Sequence, residues 1–224
     1  MCECKREEHE RSRRQMLLKY CELPYGSEDT TFDNFRVDKR WPSLLEAKEA
    51  AIELAEESTN TKWLILLGEV DCGKSHLAIA ICRKWLDRGN TARYVFIPKM
   101  LDNLRGGYNQ DKQRETLYQR DKDMGLLGEW EELPYEAQMR MLEDVDLLVL
   151  DDLGAQVPTP WAMEKLMMII DHRSANGLPL VVTTNKDLTN LPGDDEHRIG
   201  SRLMRFRDSR QIVIEAPEYR TWRK

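Results

Sequence analysis

An α/β domain, built on a parallel sheet with helices over both faces, is predicted by three features of this sequence. Short, near-continuous apolar runs alternate with longer helical patterns, as a sheet covered on both sides demands. A glycine-rich octapeptide joins the first run to a helix, and two adjacent aspartates close a later run of four apolar residues. With 224 residues, 41% of them apolar, the chain can bury one full core.

Taken in order, residues 1–30 are charged and lack apolar periodicity, so a frayed helix or mobile arm is expected, with order beginning near Phe32. Ser43-Leu44-Leu45-Glu46 has the pattern of a capping box, in which serine oxygen and glutamate each satisfy an orphan backbone N–H. Leu44, Ala47, Ala51, Leu54 and Ala55 then supply the apolar stripe of that helix. Trp63–Leu67 reads as the first strand and Lys74–Asp87 as the next helix, closed by Gly89. Tyr94–Ile97 is the second strand. The stretch of about fifty residues between Ile97 and Leu147 exceeds what one crossover helix needs, so extra helices are expected there. Leu147–Leu150 is a third strand. The helix Pro160–Asn176 follows, with Thr159 as N-cap, Pro160 in its first turn and Gly177 as its stop. Leu180–Thr183 and Ile212–Ile214 complete the strand series. The expected organisation is an arm over 1–30 and one domain over 31–224.

Composition narrows the function. Charged residues make up 33% of the chain and the net charge is −6, which argues against a surface that clings to nucleic acid throughout. Any DNA contact must be local. No apolar run approaches the ~20 residues that span a bilayer, and Met1–Arg14 lacks the apolar stretch of a signal peptide. A soluble, cytoplasmic protein without membrane contact is expected. Five cysteines, an odd number that includes Cys72 and Cys82, are poor material for a disulfide framework and read as reduced thiols.

Gly68-Glu69-Val70-Asp71-Cys72-Gly73-Lys74-Ser75 fits the phosphate-loop pattern G-x-x-x-x-G-K-S between a strand and a helix, with His76 directly after it. Its glycines let backbone N–H groups wrap phosphates, and the helix N-terminus adds its dipole. Lys74 reaches the outer phosphates of ATP, and the Ser75 hydroxyl ligates Mg²⁺. Leu147-Leu148-Val149-Leu150 carries Asp151 and Asp152 to the carboxyl end of a buried strand, where ligands bind in open α/β sheets. Asp151 is assigned to Mg²⁺, directly or through water, and Asp152 to the attacking water as general base. The plainer alternative for this pair is a solvated turn. Asn185, after Leu180–Thr184, could hold that water or a γ-phosphate oxygen, or serve only as a turn residue. In Arg198-Ile199-Gly200-Ser201-Arg202, Arg202 either forms a surface ion pair or projects into a neighbouring subunit's ATP as an arginine finger in trans.

These motifs together resemble the DnaC/DnaI-type helicase loaders and the related IstB-type transposition helper ATPases of the AAA+ superfamily. The matching stretches are Thr31-Phe32-Asp33-Asn34-Phe35, the phosphate loop, Leu147–Gly154, Thr183-Thr184-Asn185 and Arg198–Leu203, within a span from Thr31 to Arg220. The resemblance implies a five-stranded parallel AAA+ core of the P-loop NTPase class and ATP bound between self-associated subunits. It implies action on a replicative helicase ring of the DnaB kind or, in the sister group, on a transposase. Arg202, the second arginine of R-x-x-x-R, matches the finger, and Phe32 and Phe35 would lie near the adenine. The segment Leu101–Glu143 falls where such proteins carry helices implicated in single-stranded DNA contact. Here Arg105, Tyr108, Lys112, Arg114, Tyr118, Arg120 and Lys122 suit a strand-tracking surface, while Asp111, Glu115, Asp121 and Asp123 suit a solvated helix.

The chain departs from that pattern in three places. Asp152 replaces the glutamate of typical AAA+ proteins, as in loaders of the DnaI kind, and its reach is shorter by one methylene, so slow hydrolysis is expected. Only Glu215–Lys224 follow the last strand, too few for a helical lid; Tyr219-Arg220 resembles the loaders' C-terminal Tyr-Arg, and Arg220 could stand in for a sensing arginine at the ATP. Cys2-Glu3-Cys4 resembles half of an N-terminal zinc module, and two ligands do not make a structural zinc site, so no zinc is expected. The expectation is an ATP-hydrolysing helicase loader, with a transposition helper, a P-loop small-molecule kinase and an ATP-binding switch without turnover as rivals.

Overall fold

The computed structural model describes residues 3–108 and 133–218. In chain order the elements are α1 (Glu3–Cys21), α2 (Pro42–Glu56), β1 (Trp63–Gly68), α3 (Lys74–Asp87), β2 (Ala92–Phe96), α4 (Ile97–Tyr108), α5 (Tyr135–Asp144), β3 (Leu147–Leu153), α6 (Pro160–Asn176), β4 (Leu180–Thr184), a 3₁₀ turn (Leu188–Asn190), α7 (Arg198–Arg205) and β5 (Ser209–Ile214). The five strands form one sheet in the order β2-β3-β4-β1-β5. Every pairing is parallel. The expected parallel sheet with two covered faces is what forms.

Strand alternation divides the core. Leu64, Leu66, Tyr94, Leu147, Val149 and Val181 face one side, where they pack with α2, α3 and the end of α1. Trp63, Ile65, Val95, Leu148, Leu150 and Val182 face the other, against α4 to α7. Side chains one residue apart point to opposite faces, so near-continuous apolar strands are needed to fill both layers. Trp63 stacks on Phe206 with centroids 4.1 Å apart and donates its indole N–H to the Leu178 carbonyl at 3.0 Å. At the amino ends of β3 and β4, the buried Arg173 guanidinium donates to the carbonyls of Leu142, Glu143, Asp146 and Pro179. That tie leaves the opposite, carboxyl edge of the sheet for chemistry.

Four local expectations change. The capping box at Ser43 does not form: α2 starts at Pro42 with no side-chain cap, the Ser43 hydroxyl accepts instead from the Glu215 N–H at 3.0 Å, and Glu46 meets Arg210 at 3.5 Å. A proline preset for the first helical position moves the start, and the freed side chains bind β5 and the segment after it. Order begins well before Phe32, because residues 3–21 form α1, whose last turn buries Leu17 and Cys21 among α3 and β2. The polarity of its earlier turns hides this anchor from a search for periodicity. Ile97 opens α4 and does not extend β2. Finally, β5 begins at Ser209, since pairing of Trp63 with Ser209 is a backbone matter that the polar Ser209-Arg210-Gln211 does not prevent at a sheet edge. The helix at Pro160 forms as expected, with the Thr159 hydroxyl accepting from the Ala162 N–H at 3.2 Å and Gly177 closing it at φ 61°.

Candidate functional site

Parallel register brings the motifs to one edge. Thr184 pairs with Leu67 of β1 and with Leu153 of β3, so the loop after β1, the acids near the end of β3 and Asn185 after β4 emerge side by side. Gly68 and Gly73 hinge the loop at φ 152° and 103°. A Cβ at Gly68 would stand 2.7 Å from the Ile214 carbonyl oxygen, and one at Gly73 would stand 2.8 Å from Cε2 of Phe35. The loop is therefore pressed against β5 on one side and Phe35 on the other, and only glycine fits at both hinges.

Lys74, buried at the start of α3, donates from Nζ to the carbonyls of Gly68 at 2.8 Å and Glu69 at 2.6 Å. Its ammonium thus lies within the concave loop, at the N-terminal pole of a 14-residue helix where anions are favoured. Cys72, whose sulfur is 3.7 Å from Nζ, is kept a thiol by burial, which raises its pKa against the pull of Lys74.

Asp151 is 6% exposed and accepts from three hydroxyls. Ser75 Oγ lies 2.9 Å from Oδ1 and 3.2 Å from Oδ2. Thr183 donates to Oδ1 at 2.7 Å and Tyr94 to Oδ2 at 2.5 Å. The adjacent Asp152 occupies a bulge, where the β3–β4 register shifts between Leu150 and Leu153, with φ 65°. Its N–H is held by Thr183 Oγ1 at 2.9 Å. Partial burial raises the Asp152 pKa above the ordinary aspartate value, the charge of Asp151 raises it further, and Lys74 and Lys186 pull it back.

Asn185 is exposed at the turn after β4. That turn is fixed by the Thr184 hydroxyl, which donates to the Leu153 carbonyl at 2.6 Å and accepts from the Lys186 N–H at 3.0 Å. Arg202 on α7 pairs with Asp171 of α6 on the other face of the sheet, so within its own chain it adopts the surface ion pair that was the plainer alternative. Phe35, 2% exposed, buttresses Gly73 and meets the His76 ring edge-on at 5.2 Å. His76 Nε2 donates to the Thr31 carbonyl at 2.8 Å. A polar cavity of about 570 Å³ opens beside this segment, lined by Gly26, Asp29, Thr30, Asp33, Asn34, Arg36 and His76. Phe32 and Phe35 pack on the core instead of lining that cavity. Arg105 lies over the Trp161 ring at 5.1 Å. Arg220, Tyr219, the side chain of Tyr108, the rest of the basic and aromatic set from Lys112 to Lys122, Cys2 and the Cys4 side chain lie outside the described residues.

The donor set suits Mg²⁺. Ser75 and Asp151 converge as hard oxygen ligands, and among the described residues no group of three or more His, Cys, Asp or Glu side chains could hold a metal. Such a pair leaves most of the coordination sphere to phosphate oxygens and water, the habit of magnesium. Two partners of the site were not singled out from sequence, Tyr94 and Thr183. The available signal was a hydroxyl inside each buried strand, since a buried phenol or threonine needs a hydrogen-bond partner.

No helix among the described residues is long and apolar enough to cross a membrane. Residues 3–192 match the model of a family described as IstB-like ATP binding protein. The replicative helicase loader DnaC of Escherichia coli K12 is 26% identical over 183 residues, 79% of this chain and 66% of that protein. The replicative helicase loader DnaI of Bacillus subtilis is 23% identical over 228 residues, covering 96% of this chain and 64% of that one. An ATP-binding protein in an insertion sequence of Mycobacterium tuberculosis is 25% identical over 160 residues, 70% of this chain and 55% of its own length. The chain thus spans somewhat less than two thirds of these relatives. In fold it is similar to the crystal structure of the DnaC helicase loader, with TM-score 0.64, 19% identity and coverage of 86% of this chain and 100% of that one. It is also similar to AMPPCP-bound DnaA from Aquifex aeolicus, with TM-score 0.62, 19% identity and coverage of 87% and 52%.

Proposed function

The chain belongs to the family of IstB-like ATP-binding proteins, and from that premise we propose that it is an ATPase that loads a replicative helicase onto DNA. The observation that carries the ATPase half is the convergence of Ser75 and Asp151, at 2.9 Å, beside a loop whose lysine already sits in the anion cradle. When bound there, a magnesium ion would neutralise phosphate charge and orient the outer phosphates. Lys74 exchanges the carbonyls of Gly68 and Glu69 for phosphate oxygens. Asp152, poised as an anion with raised proton affinity, takes the proton of the attacking water while Asn185 orients that water. Water adds to the γ-phosphorus, the bond to the bridging oxygen breaks, and ADP leaves with inorganic phosphate.

Arg202 completes the site from a neighbouring subunit by exchanging Asp171 for the transferring phosphoryl group. The helicase client is supported by the likeness to DnaC and DnaI. The insertion-sequence relative favours a second reading, the same machine acting on a transposase. Affinity capture of a hexameric helicase against a transposase separates the two clients.

The mechanism is tested by hydrolysis rate against protein concentration, with and without single-stranded DNA. Arg202→Ala and Lys74→Ala should each lower the rate by about 10²-fold or more, and mixing them should restore part of it, because one mixed interface keeps both groups. Wild-type rates in both variants would sink the mechanism.

A further inference from the structure

Three hydroxyls grip Asp151, and they come from three elements: Ser75 from α3, Thr183 from β4 and Tyr94 from β2. If Ser75 is itself a metal ligand, its bond to the carboxylate is given up when the cation enters between them. Two grips then remain, on different oxygens. Thr183 holds Oδ1 at 2.7 Å and Tyr94 holds Oδ2 at 2.5 Å. A carboxylate tied at one oxygen can swing about its Cβ–Cγ bond, whereas ties at both oxygens set its plane. The flanking strands β2 and β4 both pair with β3, so the two ties are rigid.

We propose that Tyr94 is the positioning residue that orients Asp151 for magnesium, a reading that rests on Ser75 and Asp151 being the metal ligands. The phenol is 7% exposed and packs in the cluster that contains Leu17, Cys21 and Cys82, so its ring has no room to turn away. Set against a carboxylate oxygen, the phenol hydroxyl is the donor of this bond. Thr183 has a second duty, since it also accepts from the Asp152 N–H. Tyr94 engages Asp151 alone of the two acids in the hydrogen bonds of the site, which makes its hydroxyl the cleaner one to remove. Partners that orient a ligating side chain are commonly worth 10-fold to 100-fold in metal affinity.

The experiment is calorimetric titration of the full chain with a non-hydrolysable ATP analogue over a series of Mg²⁺ concentrations and in EDTA, comparing wild type with Tyr94→Phe. The phenylalanine keeps the ring packing, and the fitted stoichiometry counts only folded protein, so partial unfolding does not mimic the effect. The Mg²⁺ concentration for half-maximal enhancement of binding should rise about tenfold, with affinity in EDTA unchanged. An unchanged magnesium dependence, or an equal loss with and without the metal, overturns the role of Tyr94. A wild-type chain that binds the analogue equally with and without magnesium overturns the assignment of Ser75 and Asp151, and the positioning role with it.

Discussion

Asp152, the general base of the proposed mechanism, occupies a position that is unfavourable for the fold. Its backbone sits at φ 65°, a region that asparagine tolerates better than most residues, and its carboxylate stands partly buried beside a second acid. A raised folded-state pKa means that the folded chain holds this proton more tightly than the unfolded chain does. The charge therefore opposes folding at neutral pH, and that cost disappears as pH falls through the raised value. Asp152→Asn removes the charge and suits the backbone, so the variant should be more stable by about 1 kcal/mol at pH 7 in urea denaturation. It should retain nucleotide binding and lose hydrolysis by 10²-fold to 10⁴-fold. A variant less stable than wild type would contradict the view that this carboxylate is held under strain.

The decisive element is the strand-loop-helix unit from β1 to α3, because its hinges are sterically bounded from two directions. Phe35 precedes the sheet in sequence and Ile214 is the last residue of its last strand, yet both press on the loop. Gly73→Ala places a methyl against the Phe35 ring in a backbone conformation that L-residues rarely adopt. A loss of about 1–3 kcal/mol in stability is expected, together with a weakened affinity for an ATP analogue in calorimetry. The helix that follows has no side-chain cap, and under the proposed function its first turn is the surface offered to phosphate. At α7 the capping is local: Asp194 accepts from the N–H groups of Arg198 at 2.8 Å and Gly200 at 3.0 Å, which seats the helix that carries Arg202.

Across the whole molecule, the end of α1 closes an exposed sheet edge. Leu17 and Cys21 pack on one face of the sheet while Tyr20 packs on the other. Arg93, on the edge strand β2 and 1% exposed, donates to the Tyr20 carbonyl at 2.7 Å and pairs with Glu22 at 2.7 Å. Removing residues 1–22 would uncover that edge and strip the partners from a buried guanidinium. A loss of about 2–4 kcal/mol is expected in chemical denaturation, with concentration-dependent light scattering as the bare edge finds other strands. An unaltered denaturation midpoint would show that α1 contributes nothing to the core. The net charge of −6 adds that any hold on DNA is local.

Much of the fold was legible because it depends on short stretches of chain. Thr159, Pro160 and Gly177 mark a helix within their own neighbourhood, and the five apolar runs mark five strands by composition alone. Ser43 misled for the complementary reason: its partner, Glu215, lies at the far end of the chain. Cys21 could not be read as core, nor Asp171 as the partner of Arg202, until helices were laid on the sheet. The sequence by itself determined the class of fold, the glycine-hinged loop after the first strand and the pair of acids near the end of the third, because backbone propensity, glycine hinges and strand ends are local properties. Tertiary structure alone decided that the hydroxyls of Ser75, Tyr94 and Thr183 meet on Asp151, because strand register joins residues that the chain keeps far apart.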